Sequence, residues 1–219
     1  MNAKNILFNR QKYLNGLLLD AGCAIDLNML TRPAIKDAYQ FAFAAHGAIG
    51  QLRKYTGLPY ISHTVNVAAL VNSVTQNRLD NVTLVSAALL HDVLEDTALT
   101  PNGLQQFFDK KIVELVESVT NVSIAYPEML RYDRKKMDRE ALLDKGYGTH
   151  TLKLADTIDN MLTVVDFDAP YAKTSVVEAQ ALVDILADGD SRLRSVAGSL
   201  IEDNLARLHD MRLKPKTVF

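Results

Sequence analysis

The chain has 219 residues, 48% of them apolar, with 24 basic against 26 acidic side chains and a formal net charge of −2. Such a composition supports a sizeable core and excludes an intrinsically disordered chain, and the near balance of charge excludes a global basic field that would gather nucleic acid, so any anionic ligand must be held by a local cluster. Cys23 is the single cysteine, which excludes an intramolecular disulfide framework and a thiolate-rich metal site and fits a reducing cytoplasm.

Residues 1–30 mix basic and apolar positions at loosely helical spacing. The apolar patch Leu17-Leu18-Leu19 is interrupted by Asp20 and Asp26, far short of the roughly 18 apolar residues a membrane span needs, so neither a signal peptide nor a transmembrane helix is expected. Residues 1–32 read as an N-terminal helical extension, 33–210 as the main domain and 211–219 as a flexible tail. Pro33 fits the first turn of a helix over Ala34–Ile49, in which Ile35, Ala38, Phe41, Ala42 and Ala45 recur at three and four. Residues 50–60 break that pattern with glycine and proline and carry the adjacent cations Arg53 and Lys54 in a loop.

A helix from Ser62 to Val74 follows, with His63 in its first turn. Asp80 or Asn81 caps the next, which runs into Ala87-Ala88-Leu89-Leu90-His91-Asp92-Val93-Leu94-Glu95-Asp96-Thr97. On a continuous helix His91 would lie under Glu95, and Asp92 under Asp96. Four ionisable groups ending an apolar helix need a cation or a ligand to offset their desolvation, and a divalent metal is the simplest partner. Thr100-Pro101 opens a helix expected to run through Val119, and 121–133 reads as a mobile loop. The basic run Arg131, Arg134, Lys135, Lys136 and Arg139 leads into another helix. Thr149–Val165 reads as the next, Asp168-Ala169-Pro170 caps one to about Leu186, and a last one follows Asp188-Gly189-Asp190 to about His209. No strand alternation, phosphate-binding glycine loop or repeat is present, and the fold class is all-α.

The chemistry-bearing residues recur in a fixed order on these apolar helices: His63, then His91-Asp92, then Asp156. Asp156, Asn160 and Thr163 are spaced i, i+4 and i+7, which places them on one face of a continuous helix. If the helices pack together, two imidazoles and two carboxylates meet, a donor set for Mn(II), or for Fe(II) or Co(II), rather than for a sulfur-bound zinc. Such an ion activates water and neutralises phosphoryl charge, and Glu95 and Asp96, one turn on, could orient the water or shuttle its proton. Asp156 can equally be a carboxylate paired to Lys153, and a basic run such as 131–139 a solvated face.

The order His63, His91-Asp92, Asp156 resembles the HD-domain metal-dependent phosphohydrolases. Arg53-Lys54 followed by Gly57-Leu58-Pro59-Tyr60-Ile61-Ser62-His63, then Leu90-His91-Asp92-Val93-Leu94-Glu95-Asp96-Thr97, then Lys153-Leu154-Ala155-Asp156 and Asn160-Met161, is similar to the RelA/SpoT-type alarmone hydrolases over about residues 35–165. The resemblance implies Mn(II) held by His63, His91, Asp92 and Asp156, and water activation by Glu95 and Asp96. It implies nucleotide contacts from Arg53 and Lys54, ribose and base contacts from Asn160 and Thr163, and removal of the 3′-pyrophosphate of guanosine tetra- or pentaphosphate. Ending at Phe219, the chain has the layout of a stand-alone small alarmone hydrolase of the metazoan SpoT type, without a synthetase domain. Thr157, Asp159 and Leu162 depart from the family's usual cation, aromatic or histidine, and arginine, and the Arg134-Lys135-Lys136 run is expected to supply substitute charge. An adenosine alarmone or the 2′-phosphate of NADPH are alternative substrates for the same site, and a non-catalytic alarmone-binding module is a further alternative.

Overall fold

The structure is a computed structural model that describes residues 3–213, and among these no strand forms. The first helix, α1 (Ala3–Asp20), is followed by a 3-10 turn over Leu27–Thr31 that Asp26 caps by accepting from Asn28 N. Helix α2 (Pro33–Ala48) begins on Pro33 and buries the predicted stripe Ile35, Ala38 and Ala42. The 50–60 loop carries one isolated antiparallel bridge between Leu52 and Pro59, and Gly50 and Gly57 take φ +63° and +68°, values that L side chains rarely adopt. Helix α3 (Ile61–Thr75) and helix α4 (Asn81–Leu90) pack side by side, with α2 against α4. Both are buried nearly all round, because their apolar positions face neighbours on several sides.

Three expected helices are interrupted. The helix carrying His91-Asp92 stops at Leu90 and resumes as the single turn α5 (Val93–Asp96). At the break the His91 ring takes the Ala88 carbonyl at 2.8 Å, the acceptor that the Asp92 N–H would use in a continued α-helix. The segment expected to be one helix to Val119 is α6 (Pro101–Leu104), capped by Thr100 Oγ1 on Gly103 N, and then α7 (Lys110–Val119). The next segment is α8 (Arg131–Glu140). Between α7 and α8, the span read as a mobile loop contains a 3-10 turn (Val122–Ala125) held by Asp138, which accepts from Ser123 N and Oγ at 3.0 and 2.9 Å. Helix α9 (Tyr147–Met161) ends four residues before Val165, and α10 (Val164–Phe167) is a separate turn.

Helix α11 (Ala169–Ile185) is capped as read, Asp168 accepting from Tyr171 N. Helix α12 (Ser191–Leu213) includes residues 211–213, and the remainder of the expected tail, with Lys214 to Thr217, lies outside the described residues. Helix α9 runs through the middle of the molecule, in contact with α3, α4, α7, α11 and α12. Leu14 and Leu18 of α1 join the same apolar cluster. No described helix is long and apolar enough to cross a membrane.

Candidate metal centre

Because α3, α4 and α9 pack on one another, the first turn of α3, the break after α4 and the middle of α9 face a common point. His63 Nε2 lies 3.4 Å from Asp92 Oδ2 and 3.3 Å from Asp156 Oδ1, and His91 Nε2 lies 3.0 and 3.8 Å from the same two oxygens. The tightest group is His63, His91 and Asp92, whose donor atoms are mutually within 4.8 Å. Asp156 joins it through its approach to both imidazoles.

The ring orientations follow from the opposite nitrogens. A carbonyl only accepts, so His91 Nδ1, 2.8 Å from Ala88 O, carries the proton and Nε2 turns its lone pair inward. His63 Nδ1 donates likewise to Asp159 Oδ2 at 2.7 Å. His91 Nε2 is buried and, although Asp92 Oδ2 lies 3.0 Å away, makes no hydrogen bond of good geometry, so that in the neutral ring its lone pair is open to a cation. Two inward imidazole nitrogens, each fixed through its Nδ1–H, and two carboxylate oxygens fit a divalent cation of the N/O-preferring kind.

In the protein alone these groups polarise one another. Burial pulls His63 and His91 down, but the Asp156 and Asp92 carboxylates outweigh it, with Asp159 adding to His63, so that His63 stands well above the ordinary histidine value and His91 at about 9. Burial pushes Asp92 and Asp156 up, and the histidines, with Lys153 first for Asp156, hold both well below the usual carboxylate range. A cation entering the cluster therefore takes the place of protons on the imidazoles.

Around this point stand groups that the sequence reading did not single out for the site. Tyr60 Oη donates to Asp92 Oδ2 at 2.6 Å. Lys153, buried beneath Asp156, donates to its Oδ2 at 3.2 Å while Oδ1 faces the histidines and accepts from Asn160 Nδ2 at 2.6 Å. The ion-pair and cluster readings of Asp156 therefore describe its two oxygens. Asp159 accepts from His63, from Asn66 Nδ2 at 2.8 Å and from the Arg53 guanidinium. No local pattern marks Tyr60 or Asp159, since their partners are 32 and 96 residues away in sequence.

Glu95 and Asp96 reach the same cleft from α5, and although the helix is interrupted after Leu90, Asp96 N still donates to the Asp92 carbonyl at 2.9 Å, so the expected turn from Asp92 to Asp96 is kept across the break. Glu95 accepts from Asn121 N at 2.6 Å and Nδ2 at 2.9 Å, and Asp96 accepts from Gln51 Nε2 at 2.7 Å. Burial is the first cause raising both carboxyls above their ordinary values. Thr163 also lines the cleft, yet it sits beyond the end of α9, so its shared face with Asp156 and Asn160 comes from the turn into α10 rather than from helical spacing. Arg53 points inward to Asp159, whereas Lys54 is exposed at the rim beside Tyr55 and Asp168.

The cleft has a volume of ≈ 450 Å³, within the range of small-molecule sites. A further wall of the cleft is α8, which presents Arg131, Lys135 and Arg139, spaced i, i+4 and i+8 on one helix face. The expected substitute run 134–136 contributes only Lys135, because consecutive residues circle a helix. Arg131 is bound by Glu178 at 2.9 and 2.7 Å and by Tyr171 Oη at 3.0 Å, whereas Lys135 has one partner, Asp138 at 3.9 Å.

A model of the HD-domain family matches residues 38–188. The chain belongs to the HD-domain family. This HD domain is related to the SpoT/RelA hydrolase domain. It is 33% identical over 154 residues to a guanosine-3′,5′-bis(diphosphate) 3′-pyrophosphohydrolase of Aquifex aeolicus, covering 70% of the chain and 21% of the relative. It is 36% identical over 137 residues to the bifunctional (p)ppGpp synthase/hydrolase SpoT of Escherichia coli, covering 59% and 18%. The chain thus spans about a fifth of the length of these curated relatives. Among solved structures, a metazoan orthologue of SpoT described as hydrolysing ppGpp superimposes with a TM-score of 0.68 at 25% identity, covering 78% of this chain and 96% of that one.

Proposed function

We propose that the chain is a divalent-metal-dependent phosphohydrolase that removes the 3′-pyrophosphate from guanosine tetra- or pentaphosphate, giving GDP or GTP and pyrophosphate. The observation that carries the reading is the convergence of His63, His91, Asp92 and Asp156, with the inward-facing His91 Nε2 among them, at one end of a cleft walled by cations. The four side chains are its ligands, Mn(II) being the first choice and Fe(II) or Co(II) the next. Such an ion lowers the pKa of water and neutralises charge on a phosphoryl group.

The chain's own groups do the rest. Glu95, held on both oxygens by Asn121 and raised by burial above the ordinary carboxylate value, takes a proton from the attacking water. Asp96, fixed by Gln51, orients that water. The Arg53 guanidinium offers a flat face to the base, Lys54 approaches from the rim, and Asn160 and Thr163 meet the ribose side. Arg131, Lys135 and Arg139 face the phosphates not held at the metal end.

A second reading alters only the base or the phosphate position, to an adenosine alarmone or the 2′-phosphate of NADPH. It is favoured by Tyr55, a bulky cleft-lining ring that stacks on Phe167 at 5.9 Å beside Lys54. Incubation with Mn(II) and a panel of guanosine and adenosine alarmones and NADPH, with products resolved, tests both. Intact pyrophosphate with GDP or GTP is expected. Preferential turnover of the adenosine compounds, or orthophosphate from NADPH, transfers the site to the second reading, and tight alarmone binding without turnover under any divalent metal replaces the enzyme with a binding module.

A further inference from the structure

One of the residues that depart from the resembled pattern, Asp159, joins three segments of the site through its carboxylate. Asp159 is 3% exposed, and its Oδ2 accepts from two donors of different provenance. One is His63 Nδ1 at 2.7 Å, behind a member of the metal cluster; the other is Arg53 Nη1, from the 50–60 loop. Asn66 Nδ2 takes Oδ1 at 2.8 Å. A buried carboxylate depends on its donors for its charge to be tolerated, and the two cationic or polarisable ones here compete for a single oxygen.

We propose that Asp159 is a positioning residue that couples the Arg53 loop to the metal centre. The inference rests on the four-ligand reading above. A carboxylate behind a ligating imidazole fixes its tautomer and raises its basicity towards the metal, and losing such a partner typically weakens metal affinity by about 10–100-fold. The guanidinium of Arg53 draws charge from that same oxygen and so restrains the effect. Whatever draws Arg53 away from Asp159, such as a ligand that takes up its donors, therefore strengthens the His63–Asp159 hydrogen bond and tightens the hold on the cation. By linkage, the cation favours the ligand to the same degree. The coupling needs no movement of His63, only a change in how one oxygen is shared.

The test is a titration of the metal-free protein with MnCl2, followed by calorimetry, in the absence of nucleotide. Asp159→Asn should weaken Mn(II) binding by about 10–100-fold. Arg53→Gln should tighten it several-fold, Arg53→Lys should stay near the starting value, and Arg53→Gln should have no further effect once Asp159→Asn is present. Opposite signs at two bonded residues separate coupling from lost structure, since a packing defect would weaken binding in both. If Asp159→Asn does not fold, judged by far-ultraviolet circular dichroism, the Arg53 pair alone decides: tightening with Gln and not with Lys supports the coupling. Asp159→Asn folded with unchanged affinity, or Arg53→Gln with unchanged or weaker affinity, overturns it while leaving the metal centre intact. Failure of the unaltered protein to bind Mn(II) overturns both.

Discussion

The two ends of the cleft are built on opposite physical terms. At the metal end His63 and His91 are 1% and 2% exposed, and each ring is held by a hydrogen bond behind it. At the α8 end the side chains of Arg131 and Lys135 are 42% and 37% exposed, and their ion pairs reach water, where such pairs contribute about 0–1 kcal/mol each. Desolvation makes the first end rigid and intolerant, because an unmatched buried charge is costly. Screening makes the second forgiving, so ligand preference can shift there with little consequence for folding.

The contrast is broken most severely at the metal end. Asp92→Ala removes one of the four proposed ligands and the acceptor for Tyr60, and turnover with Mn(II) should fall by more than the ~10–100-fold of an outer-sphere change, with Mn(II) binding lost in the same titration. Glu95→Gln keeps the shape of the side chain and its acceptor for Asn121 N. It should lower kcat by about 10²–10⁴-fold, the range for a lost general base, with KM little altered in steady-state assays.

The α2 and α3 helices, and the cap at Asp168, were legible because they rest on local spacing: Ile35, Ala38 and Ala42 are buried as the period demands. The convergence of His63, His91, Asp92 and Asp156 was legible as an order of residues on apolar helices, though not as distances. What escaped the reading depends on contacts between distant segments or on a side chain overruling a period. The apolar rhythm runs straight through His91, yet the ring takes the carbonyl that the helix needs. The basic run at 131–139 looks like a block in sequence, but only its i, i+4, i+8 members reach the cleft. Asp159 reads as an exception to a pattern until its three donors are seen.

The comparison sharpens further with pH. His91 stands at about 9 in the metal-free protein, against an unfolded value near 6.5. Its contribution to stability is complete below that lower value and is lost as pH rises through about 9. Thermal unfolding of the metal-free protein should show Tm falling across this window, while Mn(II) affinity rises over the same interval as protons leave the site. The depressed Asp92 and Asp156 act in the other sense, contributing above the ordinary carboxylate value and losing that contribution as pH falls through their lowered ones. A Tm independent of pH between neutrality and pH 9 would contradict the charge arrangement inferred for the cluster.

The smallest effect belongs to the other end. Lys135→Ala with Arg139→Ala should raise KM about 10-fold, with kcat nearly unchanged and the unfolding free energy within ~0.5 kcal/mol of the starting value. The KM difference should shrink as salt is added. Equal KM values at low salt would return α8 to a solvated face.

Arg10 carries a consequence for how such a domain could be exchanged between proteins. From α1 it donates to the Leu162 carbonyl at 2.7 Å, just past the helix that bears Asp156, and to Asp203 and Asn204 of α12 at 2.8 and 3.3 Å. All but Leu162 lie outside the stretch 38–188 that marks the family. A chimera spliced at the limits of that shared stretch would part Arg10 from the Leu162 carbonyl it satisfies, so α1 and α12 have to be inherited together with the helix whose end they secure.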